Sequence, residues 1–173
     1  MAKRHIGTTG DDRTDEAIAM LVESVDCDNP NHLKEMMTTA VRVATGPVHK
    51  ADFMMMNRAM KELEDTCEMF APYKGKRKVT IFGSARTPKD HPAYFSTEVL
   101  SKALVAKDWM TITGGGPGIM EAGNNGSGKE NTFGLGITLP FEQTHSQLAG
   151  DPKFYECNYF FTRKVSIMRE AHA

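Results

Sequence analysis

No segment of this 173-residue chain stays apolar for the ~20 residues that a membrane-spanning helix needs, and the opening MAKRHIGTTGDDRTDE has basic residues with no apolar run behind them. Neither a span nor a secretory leader is expected, and the protein reads as cytoplasmic. A charge surplus is missing too. Lys and Arg number 21 against 22 Asp and Glu, for a formal net charge of −1, so no overall pull toward nucleic acid or anionic lipid is expected. Cysteine is sparse: Cys27, Cys67 and Cys157 are odd in number, widely spaced and free of any CxxC pair. That spacing argues against a disulfide framework or a zinc knuckle and leaves three reduced thiols. With 40% hydrophobic and 25% charged residues and no internal repeat, the composition is that of a globular protein with one good core or two small ones.

Hydrophobic periodicity divides the chain into a helical region, residues 1–75, and an alternating region, residues 76–173. In TDEAIAMLVESV the apolar Ile18, Leu21, Val22 and Val25 fall three and four apart behind a Thr14 cap, with Asn29-Pro30 as a stop. NHLKEMMTTAVRVATGP repeats the pattern through Leu33, Met36, Met37, Ala40 and Val41 and stops at Gly46-Pro47. ADFMMMNRAMKELEDTCEMFAP puts Phe53, Met56, Met60, Leu63, Cys67 and Phe70 on one side. Its Met54-Met55-Met56 run fits a core or a helix-pair interface better than a pliable binding surface.

YKGKRK then reads as a basic linker, followed by a VTIFGSA strand. The PAYFSTEVLSKALVAKD helix is expected to turn Phe95, Val99, Leu100, Ala103 and Leu104 inward, ahead of a WMTIT strand. A short helix in GIMEAGNNGS, a buried strand in FGLGITLP ended by Pro140, an extended YECNYFF and a helix in TRKVSIMREAHA complete the pass. Alternating strand and helix predicts an α/β class: a Rossmann-like parallel sheet with flanking helices, preceded by the N-terminal helical region.

Ligands of such sheets bind beyond the carboxyl ends of the strands, and two glycine-bearing loops fall there. One is Gly83-Ser84-Ala85-Arg86 and the other Gly114-Gly115-Gly116-Pro117-Gly118. Glycines let backbone N–H groups approach an anion, Pro117 suits a first helical turn, and a helix N-terminus adds partial positive charge, which together describe a phosphate cradle. A tight turn without ligand is the competing reading, but three adjacent glycines are costly in folding entropy for a mere turn. Neither common nucleotide motif is complete. The dinucleotide fingerprint fails because position 121 is Glu, and the P-loop-like spacing from Gly123 to Lys129 ends in Glu130 where a magnesium-binding hydroxyl is required.

GSART after a strand, ITGGGPGIMEAGNNG, the GLGITLPFEQ strand and FFTRKVSIMREAHA resemble, in order and spacing, the LOG (LONELY GUY) family. These proteins were formerly labelled lysine decarboxylases and are understood as nucleoside 5′-monophosphate phosphoribohydrolases that release free cytokinin or adenine. The resemblance spans about residues 79–173; each piece alone is common, and the combination is specific. It implies a Rossmann-like fold and a homodimer or higher homo-oligomer. The implied substrate is a purine nucleoside 5′-monophosphate such as AMP, cleaved at its N-glycosidic bond to free base and ribose 5-phosphate, with no metal or redox cofactor. The family's catalytic arginine lies in an Arg-Lys pair on a helix, which maps onto Arg163, with Lys164 beside it as a phosphate contact. The family's second signature, PGGxGTxxE, brings a catalytic glutamate and should follow that helix, whereas the sequence ends at Ala173. A truncated product or fragment is therefore expected, catalytically dead alone and with an apolar sheet edge left for the N-terminal helices or a partner to cover.

Cleaving an N-glycosidic bond builds an oxocarbenium-like ribose, so the site needs a carboxylate to activate water or stabilise charge. Arg163, always protonated, can clamp the nucleotide or neutralise developing charge but is a poor general acid or base. Glu121 is the only motif-borne carboxylate left, with a surface helix residue as its alternative reading. His91 and His145 read as solvated and Trp109 as core, and nothing marks a Schiff-base lysine. The set of candidates is thus Arg163 and Glu121 for chemistry and Gly83, Ser84, Gly114, Gly115, Gly116, Pro117, Gly118 and Lys164 for phosphate. A non-catalytic nucleotide-binding module, related to molybdenum-cofactor carrier or DNA-processing Rossmann proteins, is the second reading. A partner-docking role for the helical region is the third.

Overall fold

The computed structural model describes residues 7–139 and 147–173, and the chain forms two compact units, Met1–Asn57 and Arg58–Ala173. In the first unit α1 (Asp12–Ser24) packs on α2 (Pro30–Thr45). The cap of α1 is Asp11, whose carboxylate accepts from the Thr14 N–H at 2.9 Å, three residues ahead of the Thr14 cap expected from the sequence. Asp15 takes hydrogen bonds from the Thr8 hydroxyl at 2.5 Å and from the Thr9 N–H and hydroxyl at 2.8 and 2.6 Å. Those bonds hold its carboxyl below the usual range. The helix stops at Ser24, and Pro30 does not end it but opens α2, where a missing N–H costs nothing. Ile18 and Val22 are buried, whereas Leu21 and Val25 are exposed.

The helix α3 (Lys50–Phe70) begins in the first unit and carries all four of its buried residues in the second. Its inward face follows the expected apolar stripe only at its end: Phe53, Met56 and Met60 are exposed, Leu63 and Cys67 half-buried and Phe70 buried, while Ala59, Glu62 and Thr66 are buried off the stripe. Periodicity identified the helix but not which side turns inward. The polar side wins because it finds specific partners on the last helix of the chain.

The second unit is a four-stranded parallel sheet in the order β1-β2-β3-β4, built from β1 (Arg77–Thr80), β2 (Trp109–Thr113), β3 (Thr132–Ile137) and β4 (Phe154–Cys157). Between them run α4 (Pro92–Val105) and α5 (Ile119–Ser127), and α6 (Phe160–Glu170) follows β4. The α/β Rossmann-like fold is thereby observed, with helices ahead of a parallel sheet. Its core gathers Phe70, Met110, Ile112, Phe133, Leu135, Cys157 and Ile167, with the Phe70 and Phe133 rings 4.5 Å apart.

Two segments depart from expectation. Phe95 is 66% exposed, and Val99 and Leu100 also face outward, while Tyr94 and Ser101 are buried. The reason is the closeness of α4 to α5: a side chain at Gly126 would collide with the Glu98 carbonyl and the Ser101 Cβ, and Asn125 of α5 donates to the Tyr94 hydroxyl at 2.9 Å, so the face of α4 carrying Tyr94 and Ser101 docks. The supposed basic linker likewise contains Lys78, a strand residue 1% exposed. Its Nζ donates to the Tyr73 carbonyl at 2.7 Å and the Lys76 carbonyl at 3.2 Å and lies 3.5 Å from the Glu170 carboxylate. Beside β1, the His172 N–H donates to the Lys78 carbonyl and the Thr80 N–H to the Ala173 carbonyl, both at 2.8 Å, so part of that edge is covered by the chain itself. Among the described residues no helix is long and apolar enough to cross a membrane.

Candidate functional site

The loops after β1 and β2 meet at the carboxyl edge of the sheet. Gly118, the residue before α5, adopts φ 68°, and a side chain there would strike the Ser84 carbonyl. Only glycine meets both demands without strain. The contact is used: the Ile119 N–H donates to the Ser84 carbonyl at 3.2 Å, so the first amide of α5 binds the neighbouring loop and is not offered to a ligand. Ser84 Oγ accepts the Arg86 N–H at 3.2 Å, which leaves its own O–H to donate, and Gly83 lies against the Ile119 side chain. Farther along, Thr113 Oγ1 donates to Asn124 Oδ1 at 2.8 Å and accepts the Gly115 N–H at 3.1 Å, which fixes the turn. The N–H groups of Gly114, Gly116, Gly118, Met120 and Glu121 have no acceptor among the described residues. They are the donors this loop can offer an anion.

Gly115, Gly116, Pro117, Glu121, Asn124 and Gln147 line a recess of about 120 Å³. That is below the ~300–1,000 Å³ of typical small-molecule pockets and suits one group of a nucleotide. Glu121 has 16% of its side chain exposed and accepts from Lys89 Nζ at 2.8 Å and Gln147 Nε2 at 3.0 Å. The hydrogen bond it donates to Glu121, with the carboxylate's charge, raises the Lys89 ammonium above its usual range. Glu121 is therefore neither a free surface residue nor an unengaged carboxylate.

Arg163 comes to the same loop from the other side. Carried on the first turn of α6, it donates Nε–H to the Leu135 carbonyl at 2.7 Å, and its guanidinium carbon lies 5.2 Å from the Phe82 ring centre. Its terminal nitrogen occupies the space that a side chain at Gly114 would need, so that glycine admits the arginine. Burial pushes the guanidinium pKa down, opposed in part by the Cys157 thiol. Among the described residues no carboxylate pairs with it. Arg163 and Glu121 approach the loop separately, and Arg163 is not part of the recess that Glu121 lines. Lys164 is exposed on α6.

His91 caps α4, its Nδ1 accepting the Ala93 N–H at 3.0 Å. Trp109 is half-buried with Arg77 over its ring at 5.6 Å and so is not the core residue expected. His145 and Pro140 lie outside the described residues. Sequence reasoning missed Lys89, Asn124 and Gln147, and also Glu62, whose bonds reach the start of α6. Asn124 had a local signal in the polar run after the glycines. Glu62 had none.

A parallel sheet with glycine loops and a cation at its carboxyl edge defines a nucleotide-related Rossmann-like module. A family model, the SLOG cluster4 family, matches residues 76–165, more than half of the sequence, and the chain belongs to that family. The SLOG superfamily includes LOG-like proteins. No curated protein matches the chain.

Proposed function

We propose that this chain binds a purine nucleoside 5′-monophosphate at the carboxyl edge of the sheet and hydrolyses its N-glycosidic bond in the manner of LOG phosphoribohydrolases. The observation that carries the reading is Arg163, a half-buried guanidinium without a carboxylate partner among the described residues, packed against Gly114 beside amides that lack acceptors. Such a cation is costly to bury and is compensated when an anion arrives. The 5′-phosphate takes the loop amides and Arg163. In the reaction, water adds to C1′ of the ribose, the C1′–N bond breaks, and the base leaves with a proton as ribose 5-phosphate forms. Glu121, hydrogen-bonded by Lys89 and Gln147, accepts the proton of that water. A homodimer is the expected assembly, and the exposed apolar face of α4 at Phe95, Val99 and Leu100 is a surface that it would cover.

One observation favours the second reading, a nucleotide-binding module without catalysis: Glu121 is already engaged by two partners and lies in a recess that excludes Arg163. Incubation with AMP, followed by chromatography of adenine and ribose 5-phosphate, separates the two. Release that vanishes in both Arg163→Ala and Glu121→Gln supports hydrolysis. AMP binding without release supports the module, and absence of both overturns the nucleotide assignment.

A further inference from the structure

The start of α6 is held by a residue from a helix far away in sequence. Tyr159, the residue before the helix, offers no side-chain cap. Glu62 of α3, 2% exposed, supplies the acceptors: one carboxylate oxygen takes the Asn158 N–H at 2.9 Å and the other the Thr162 hydroxyl at 2.5 Å. A carboxylate there is favoured by the unpaired N–H groups and the positive end of the helix. One turn on, Thr66 of α3 and Ser166 of α6 share a buried hydrogen bond at 2.9 Å, so the pairing repeats at four-residue spacing on both helices.

Thr162 immediately precedes Arg163. Arg163 has a single described acceptor, the Leu135 carbonyl, and a close fit at Gly114, so a small movement of this first turn withdraws the guanidinium from the loop. Glu62 has no cationic partner among the described residues. A buried carboxylate of this kind is a poor way to stabilise a helix pair, since a well-packed apolar residue costs less. Its retention makes sense if the geometry of the first turn matters more than stability.

We infer that Glu62 is a positioning residue for Arg163, making α3 a working part of the anion site; the ligand role of that site rests on the reading proposed above, while the placement of Arg163 does not. The test uses the full chain labelled with ¹⁵N. The Arg163 Nε–H resonance, identified by its disappearance in Arg163→Ala, is expected to exchange slowly because it donates to the Leu135 carbonyl. In Glu62→Ala it should lose that protection, and in Glu62→Gln, whose carbonyl still accepts the Asn158 N–H, protection should be restored. AMP affinity should fall about tenfold or more in Glu62→Ala but change less than about twofold when the same substitution is made on Arg163→Ala. An unaltered Nε–H signal in Glu62→Ala, or equal affinity losses in both backgrounds, overturns the inference. If Glu62→Ala does not fold, Thr162→Val, which removes one of the two bonds, is read by the same signal and the same criteria. If the wild type does not bind AMP, the nucleotide reading fails and the Nε–H comparison still decides the role of Glu62.

Discussion

The two edges of the sheet treat a buried cation in opposite ways. At the amino edge Lys78 is satisfied on all sides: two backbone carbonyls, the Glu170 carboxylate at 3.5 Å and the Phe70 ring at 5.8 Å. Glu170 in turn pairs with Lys74 and with Arg169 at 3.6 Å. At the carboxyl edge Arg163 has one carbonyl, one ring face and no carboxylate among the described residues. A charge that serves the fold is paired within the fold. A charge left half-compensated beside a glycine loop is one that a ligand can complete, and such groups are where function is to be sought.

The largest effect should come from breaking the paired edge. Glu170→Ala strands Lys78 in the core and is expected to cost about 3–5 kcal/mol in chemical denaturation at neutral pH. Burial alone would raise the Glu170 carboxyl, but the hydrogen bonds and charges of Lys74 and Lys78 outweigh it and hold the group below its ordinary 4.5. A depressed carboxyl contributes its stabilisation above the unfolded value and loses it as pH falls through the folded one. The wild type should therefore weaken below pH 4.5. Glu170→Ala should lack that component, so a variant with the wild-type acid slope would mean the pair is not what the fold depends on.

A smaller effect is expected at the other edge, where Cys157 feels the charges of both Glu62 and Arg163. Burial and the nearby Glu62 charge push its thiol from 9.0 up to about 11, against the opposing pull of Arg163. The folded state keeps this proton while the unfolded chain gives it up, so stability is intact below pH 9 and declines toward about 11. The decline attributable to this group is at most about 1.4 kcal/mol per pH unit. Denaturation curves of wild type and Cys157→Ala across that interval should converge as pH rises. Parallel curves would remove the thiol from the account.

What was legible in the sequence depended on local signals. Alternating strands and helices and the glycine loops needed only neighbours a few residues apart, whereas Arg163 was singled out by the family resemblance; the structure brings both Glu121 and Arg163 to the loop after β2. The orientation of α3 and α4 was not legible, because an apolar stripe says that a helix has two faces and not which one docks. Close approach at Gly126 and Ser101 decided one case, and the polar seam through Glu62 and Thr66 decided the other. Glu62 finds its partners 96 and 100 positions away, a separation at which no single-sequence pattern operates. The use of the Ile119 amide by Ser84 was equally hidden, since it arises where two loops from different strands touch.

The smallest effect on stability, and the one that bears most directly on the contrast, is expected from Arg163→Met. The substitution loses one hydrogen bond to the Leu135 carbonyl but also removes a partly buried charge that no carboxylate offsets among the described residues. Those losses and gains run in opposite directions, and the net change should stay within about 1 kcal/mol of wild type, against several for Glu170→Ala. AMP affinity should nonetheless fall by about tenfold or more, because the guanidinium is the site's cation. A variant that is stable and weakened toward nucleotide separates a charge kept for a ligand from a charge kept for the fold. Destabilisation as large as that of Glu170→Ala would instead make Arg163 a structural residue like Lys78, and the distinction between the two edges would collapse.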